Sequence, residues 1–316
     1  MLEPEIAAFI ERATAIYPAH SAASTPSEQR RMYDRYAAML APPLPGEVML
    51  QDASFTSRAG HTIPLRLYRR RTNAHEGVRG SVLYFHGGGF VLGSLNSHQM
   101  ITARIALDTG LDVIAVDYRL APEHPAPAAH DDCMEVTLAA LAGRLPFDLH
   151  DDAALQLAGD SAGGNLAASV AMRLRDDGVD RVRGLALVYP MLGVEPQRPA
   201  RDTEAYAPML TLTDVYAFRD SYWGKGESAR YPAWTIPLDA ARFDALPPTL
   251  AIGAEHDPLR DDARVFVERI GAAGGDARLR IGAGLVHGCW RALEWSPGVQ
   301  AMHKDVCDFL TGQARD

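Results

Sequence analysis

Apolar positions along this chain fall into two regimes. Near the start they recur at helical spacing: Leu2, Ile6, Phe9, Ile10 and Ala13 share one face of a helix expected over 2–17, which Pro18 ends. A second helix opens at Thr25-Pro26-Ser27-Glu28, carries Met32, Tyr36, Met39 and Leu40, and stops at the breaker run Pro42-Pro43-Leu44-Pro45-Gly46. Strands are expected at 48–57 and 63–69, the second alternating Ile63, Leu65 and Leu67 with polar neighbours. The Ala59-Gly60-His61 turn between them predicts an antiparallel hairpin.

After a polar loop (72–80) the pattern changes. Ser81-Val82-Leu83-Tyr84-Phe85 and Leu111-Asp112-Val113-Ile114-Ala115-Val116 are near-continuous apolar runs, as strands buried on both faces of a parallel sheet require. A helix is expected between them at 97–107. Helix and strand then alternate: helix 127–143, strand 154–158, helix 162–176 and strand 184–189, then strand 249–253, helix 259–273, strand 277–281 and helix 298–311. This is an α/β fold with a mostly parallel sheet and an antiparallel start. From 191 to 248 the alternation lapses into proline-rich loops around one helix at 213–223, an excursion long enough to suggest a lid. No internal repeat or low-complexity tract interrupts the chain. We expect one domain over 1–316, with the two N-terminal helices either capping it or packing on it.

Composition narrows the function classes. With 47% hydrophobic residues in 316, the chain can bury a large core. A net charge of −9 argues against nucleic-acid or anionic-membrane partners, which call for a basic face. Three cysteines (Cys133, Cys289, Cys307), far apart and without C-x-x-C, predict a reducing compartment and no disulfide framework. Glu3, Glu5 and Glu11 replace the basic and apolar regions of a secretory signal, and no apolar stretch approaches the roughly 18 residues of a membrane span. A cytoplasmic protein is expected.

The junction between strand 154–158 and helix 162–176 reads Gly159-Asp160-Ser161-Ala162-Gly163. A serine flanked by glycines two residues away at such a junction is the nucleophile-elbow pattern: the sharp turn leaves no room for neighbouring side chains. The helix N-terminus beneath it offers N–H groups to an anion. Alone, that pattern also arises by chance. Three further features join it. His86-Gly87-Gly88-Gly89 follows strand 81–85 and lacks the Lys-Ser/Thr of a phosphate loop, so it reads as an oxyanion loop, with His86 a brace. Asp257 follows strand 249–253, where α/β sites lie. His287 sits in a loop flanked by Gly282, Gly284 and Gly288. Glu255 and Asp261 are rival carboxylates, expected to cap a helix or face solvent. No H-E-x-x-H or other metal-ligand spacing occurs, and no cofactor is expected.

These motifs, with Asp117-Tyr118-Arg119-Leu120-Ala121-Pro122-Glu123, Leu187-Val188-Tyr189-Pro190 and Glu255-His256-Asp257-Pro258-Leu259-Arg260-Asp261, resemble the bacterial hormone-sensitive-lipase-like esterases of the α/β-hydrolase superfamily. The resemblance covers about residues 45–310. It implies a catalytic triad of Ser161, Asp257 and His287, an oxyanion hole from the N–H groups of Gly88, Gly89 and Ala162, and a cap built from about 1–45 and 191–248. The implied activity is hydrolysis of short- to medium-chain acyl esters through an acyl-enzyme. Deacetylation, lactone or amide hydrolysis would use the same triad. A ligand-binding role, as in the similar plant gibberellin receptors, would go with loss of the triad histidine, which is present here. The family also implies a homodimer. One departure stands out: where the family has an aromatic two residues after the histidine, this chain has Cys289, then Trp290. Either the pocket is reshaped or Trp290 substitutes. Asp160 is expected to be scaffold. Phe90, Tyr189, Tyr206, Phe218 and Trp223 are candidates for either pocket lining or core.

Overall fold

The computed structural model describes residues 1–17, 24–71, 80–149, 154–193, 198–226 and 232–314. Pro18, the 72–79 part of the polar loop and short parts of the 191–248 excursion lie outside them. Eight strands form one sheet in the order β1-β2-β4-β3-β5-β6-β7-β8. The hairpin of β1 (Val48–Thr56) and β2 (Thr62–Arg70) is antiparallel, and β2 also runs antiparallel to β4 (Asp112–Val116). From β4 onward the ladders are parallel, through β3 (Gly80–Phe85), β5 (Ala154–Asp160), β6 (Val182–Val188), β7 (Thr249–His256) and β8 (Ala277–Val286). The apolar runs behave as their pattern requires: every residue of β3 and β4 is buried.

Two cores flank the sheet. One gathers α4 (Ala128–Leu141), α5 (Ala162–Asp176), α8 (Arg260–Ala272) and the excursion helix α7 (Leu212–Trp223). The other gathers α1 (Pro4–Ile16), α2 (Pro26–Leu40), α3 (Gln99–Thr109) and α9 (Pro297–Gln313). The expected face of α1 is the buried one, through Ile6, Phe9 and Ala13. Thr25 and Glu28 close a capping box on α2, as the Thr-Pro-Ser-Glu start suggested.

Strand ends differ most from expectation. β7 runs to His256 and β8 to Val286, past the glycines that would end them on pattern alone. Their ladder continues through Ala254↔Gly282 and, after a bulge, His256↔Val286. A short helix α6 (Pro199–Thr203) inside the excursion has no sequence signal beyond its proline. Chain order reverses between β3 and β5, since β4 lies on one side of β3 and β5 on the other. The loops leaving β3 and β5 therefore flank the crevice where open α/β sheets bind ligands. Among the described residues no helix is long and apolar enough to cross a membrane.

Candidate active site

Ser161 stands between β5 and α5 at φ 54° and ψ −118°. The turn is pinned on both sides: its N–H donates to the Val188 carbonyl at 2.9 Å, and its carbonyl accepts from Met191 N–H at 3.1 Å. The flanking glycines are required by close approach. A Cβ on Gly163 would lie 1.8 Å from the Phe85 carbonyl oxygen, and one on Gly159 would lie 2.4 Å from the Gly163 backbone.

His287 follows β8 and reaches across to this turn. Its Nε2 is 2.9 Å from Ser161 Oγ, and its Nδ1 is 2.7 Å from Asp257 Oδ2. Asp257 is fully buried, and its second oxygen accepts from Leu259 N–H at 2.7 Å. Since the carboxylate accepts, Nδ1 carries the ring proton and Nε2 turns its lone pair to the serine. Tyr189, itself at φ 35°, packs its ring 4.8 Å from the imidazole. The three residues singled out in the sequence thus form one hydrogen-bonded line.

The loop after β3 carries Gly88 at φ 122° and Gly89 at φ 62°. Among the described residues, the N–H groups of Gly88, Gly89 and Ala162 donate to no acceptor in the protein. Asp160 ties this loop to β5: its Oδ1 accepts from Gly87 N–H at 3.0 Å and from the Tyr84 hydroxyl at 2.6 Å. Burial alone would raise its carboxyl, but His98, Tyr84 and Arg291 hold it well below the usual range. Asp160 is scaffold, as expected. Burial and neighbouring His98 push His86 down to about 3, so it stays neutral; its Nδ1 faces the Gly87 carbonyl at 2.9 Å and its ring stacks on Tyr118.

The rival carboxylates have other partners. Glu255 accepts from Gly284 N–H at 2.6 Å, which lowers its pKa and braces the end of β8. Asp261 is buried, not solvated, and accepts from Ala200 N–H at the start of α6 at 2.8 Å. Cys289 is unexposed, and burial pushes its thiol far up, away from a nucleophilic thiolate. Trp290 is buried toward α9, and its Nε1–H donates to His303 Nδ1 at 3.1 Å. Of the aromatics, Phe90, Tyr189 and Trp223 are core, Tyr206 is exposed, and Phe218 lies against Gly89.

One group of metal-type donors was not anticipated. Oxygen, nitrogen and sulfur of Asp108, His303 and Cys307 lie within 4.8 Å of one another. Trp290 occupies His303 Nδ1 with a donated proton, so Nε2 bears the ring hydrogen and donates to Asp108 at 2.8 Å. A metal would need that nitrogen bare. The cluster is a hydrogen-bonded contact between α3 and α9.

Two residues escaped the sequence analysis. Asp262, unexposed, pairs with buried Arg201 at 2.9 Å and accepts from Leu192 and Gly193 N–H, anchoring the start of the excursion. Asn165 on α5 is the other. Asn165 Oδ1 also accepts from Ser169 Oγ, one turn on, at 3.2 Å, but the other side-chain partners of both residues lie 26 or more positions away and leave no local signal.

Comparison with known proteins agrees with this geometry. A family model described as the alpha/beta hydrolase fold matches residues 82–291. The chain is 36% identical to Esterase LipI of Mycobacterium tuberculosis, over 78% of this chain and 76% of that one. It is 30% identical to Ethyl acetate hydrolase of Pseudomonas putida, over 90% and 91% of the two chains. Among solved structures, a hyperthermophilic esterase from the archaeon Pyrobaculum calidifontis superposes with a TM-score of 0.86 at 29% identity, covering 100% of this chain and 99% of that one. An ester-hydrolase from the metagenome of Lake Arreo, complexed with a bipyridine phosphonate derivative, gives 0.91 at 26% identity, covering 100% of both. With a serine, a histidine and an aspartate aligned at the crevice of a matching sheet, this chain belongs to the hormone-sensitive-lipase-like esterase family of the α/β-hydrolase superfamily.

Proposed function

We propose that this carboxylesterase hydrolyses short- to medium-chain acyl esters, with Ser161 as nucleophile, His287 as general base and acid, and Asp257 as the group that orients it. The observation that carries the reading is the line Asp257–His287–Ser161, with contacts of 2.7 and 2.9 Å. Ser161 Oγ attacks the ester carbonyl carbon while His287 Nε2 takes its proton. The carbonyl oxygen becomes an oxyanion facing the N–H groups of Gly88, Gly89 and Ala162, each worth on the order of 3 kcal/mol in the transition state. Collapse expels the alkoxide, protonated by His287, and leaves an acyl-serine. Water, deprotonated by His287, then attacks the acyl carbon and restores the serine. No step needs a metal or cofactor. Pseudomonas putida's Ethyl acetate hydrolase, by its name, acts on a short ester, which supports the short-chain end of the range.

The proposed cap comprises about 1–45 and 191–248. In its support, Arg30 of α2 donates to the Val91 and Ala121 carbonyls at 2.8 Å, and Phe218 of α7 meets Gly89. The proposed setting is the cytoplasm, which suits three buried free thiols. Association into a homodimer is the family-based proposal for assembly, read by light scattering. The decisive experiment compares purified wild type with Ser161→Ala on p-nitrophenyl butyrate. A loss of about a thousandfold or more is expected; equal rates would refute the mechanism.

A further inference from the structure

A buried line of hydrogen bonds runs from α7 to the first turn of α5, and the reaction steps above do not use it. Tyr222 of α7, His130 of α4 and Asn165 of α5 are all buried. Asn165 Nδ2 donates to the Met191 carbonyl at 2.9 Å. A carbonyl only accepts, so the amide's orientation is set and Asn165 Oδ1 faces His130 Nε2 at 2.9 Å. That nitrogen must carry the ring proton. Nδ1 is then a bare acceptor, and the Tyr222 hydroxyl donates to it at 2.6 Å. Burial pushes His130 down to about 3, so this order of donors holds at neutral pH.

The same tyrosine clamps the oxyanion loop. Its ring lies on Phe90, centroids 4.1 Å apart and planes 6° from parallel, while Trp223 meets Phe90 edge-on at 5.1 Å. Phe90 stands at φ 63°, a left-handed conformation that a side chain keeps only when its surroundings hold it there. It directly follows Gly89. One turn before Tyr222, the Phe218 ring lies against the face of Gly89 that a Cβ would occupy.

The oxyanion donors arrive from two directions, Gly88 and Gly89 from the loop after β3 and Ala162 from α5. Their spacing has to hold to about 0.5 Å. Tyr222 links both halves: its ring holds Phe90, and its hydroxyl bonds His130, which donates to Asn165, whose backbone N–H bonds the Ser161 carbonyl at 3.2 Å. We propose that Tyr222 and His130 are positioning residues that tie the oxyanion loop to the nucleophile helix through α7. The proposal rests on Ser161 being the nucleophile.

The test is hydrolysis of p-nitrophenyl butyrate, with kcat expressed per serine labelled by a fluorophosphonate. Tyr222→Phe keeps the stack and removes the donor; His130→Leu removes both bonds. Each is expected to lower kcat about tenfold with KM within about twofold, because misplaced donors weaken the transition state more than substrate binding. The double variant should be no slower than the slower single one, and His130→Gln, which supplies both an acceptor and a donor, should recover most of the His130→Leu loss. A kcat within about threefold of wild type in Tyr222→Phe, with only the melting temperature reduced, overturns the proposal and leaves the line as core packing. Tyr222→Phe decides the matter if His130→Leu does not fold. Peptide mapping separates the two readings: a wild type labelled elsewhere than Ser161 overturns the catalytic assignment and this proposal with it.

Discussion

The nucleophile elbow and the excursion between β6 and β7 are neighbours held by opposite means. The elbow is a backbone construction, with its serine bonded to Val188 and Met191 and its glycines packed directly on main-chain atoms. The excursion is a side-chain construction. It is anchored by the buried Arg201–Asp262 pair and by α7 aromatics laid on Phe90. Backbone contacts of the first kind tolerate almost no change in residue type. Side-chain contacts of the second kind can be rebuilt with other residues of like volume and polarity. In the proposed mechanism the chemistry sits on the backbone construction, and the side-chain construction reaches it where Phe218 meets Gly89.

The sharpest way to break this contrast is at the triad. Asp257→Asn should keep the fold and lower kcat on the order of 10⁴-fold, since the amide favours the wrong imidazole tautomer. A pre-steady-state assay would read it, and a loss under about tenfold would remove Asp257 from the mechanism. Next comes the excursion's anchor. Arg201→Met leaves buried Asp262 its bonds from Leu192 and Gly193 N–H but, for a cation, the longer 3.5 Å contact to Arg198, so a loss of about 3 kcal/mol in urea denaturation is expected. If stability is unchanged, the excursion is held by something other than this pair.

Phe218→Ala probes the side-chain construction directly. Opening space over Gly89 should raise the octanoate-to-butyrate ratio of kcat/KM by about tenfold, a size typical for a few methylenes in an apolar pocket. An unmoved ratio would place the acyl chain elsewhere.

The smallest expected effect lies beneath the oxyanion loop. Burial, with Asp34 beside it, pushes Asp117 up to about 6. The folded state therefore binds more protons than the unfolded one between about pH 4 and 6, so stability falls as pH rises through that window. Asp117→Asn removes the charge and offers an N–H to His86 Nε2, which is buried without a hydrogen-bond partner among the described residues. With the Asp117 side chain 33% exposed, solvent screens much of the penalty. About 1 kcal/mol of stabilisation is expected near pH 7.5, and clearly less near pH 4. Equal gains at both pH values would show that the carboxylate's charge is not the cause.

Much of the molecule was legible residue by residue. Helix 162–176 matches α5 at both ends, and helix 213–223 matches α7 to within one residue. Ser161, Asp257 and His287 meet as their order along the chain implied. The ends of β7 and β8 were not legible, because glycines stop a local pattern while the ladder between those strands continues. The fate of Trp290 was not legible either: nothing local says that its indole turns toward His303.

By itself, then, the sequence determined the alternation of strand and helix, the elbow and the order of the three site residues. Each of these rests on short-range sterics or on the burial of a strand's own side chains. Only the tertiary structure decided what partners the rival carboxylates Glu255 and Asp261 take, what anchors the excursion, and how Tyr222, His130 and Asn165 come together. Those depend on side chains from distant segments meeting in one place, and a hydrogen bond across 92 residues, as between His130 and Tyr222, leaves no local trace.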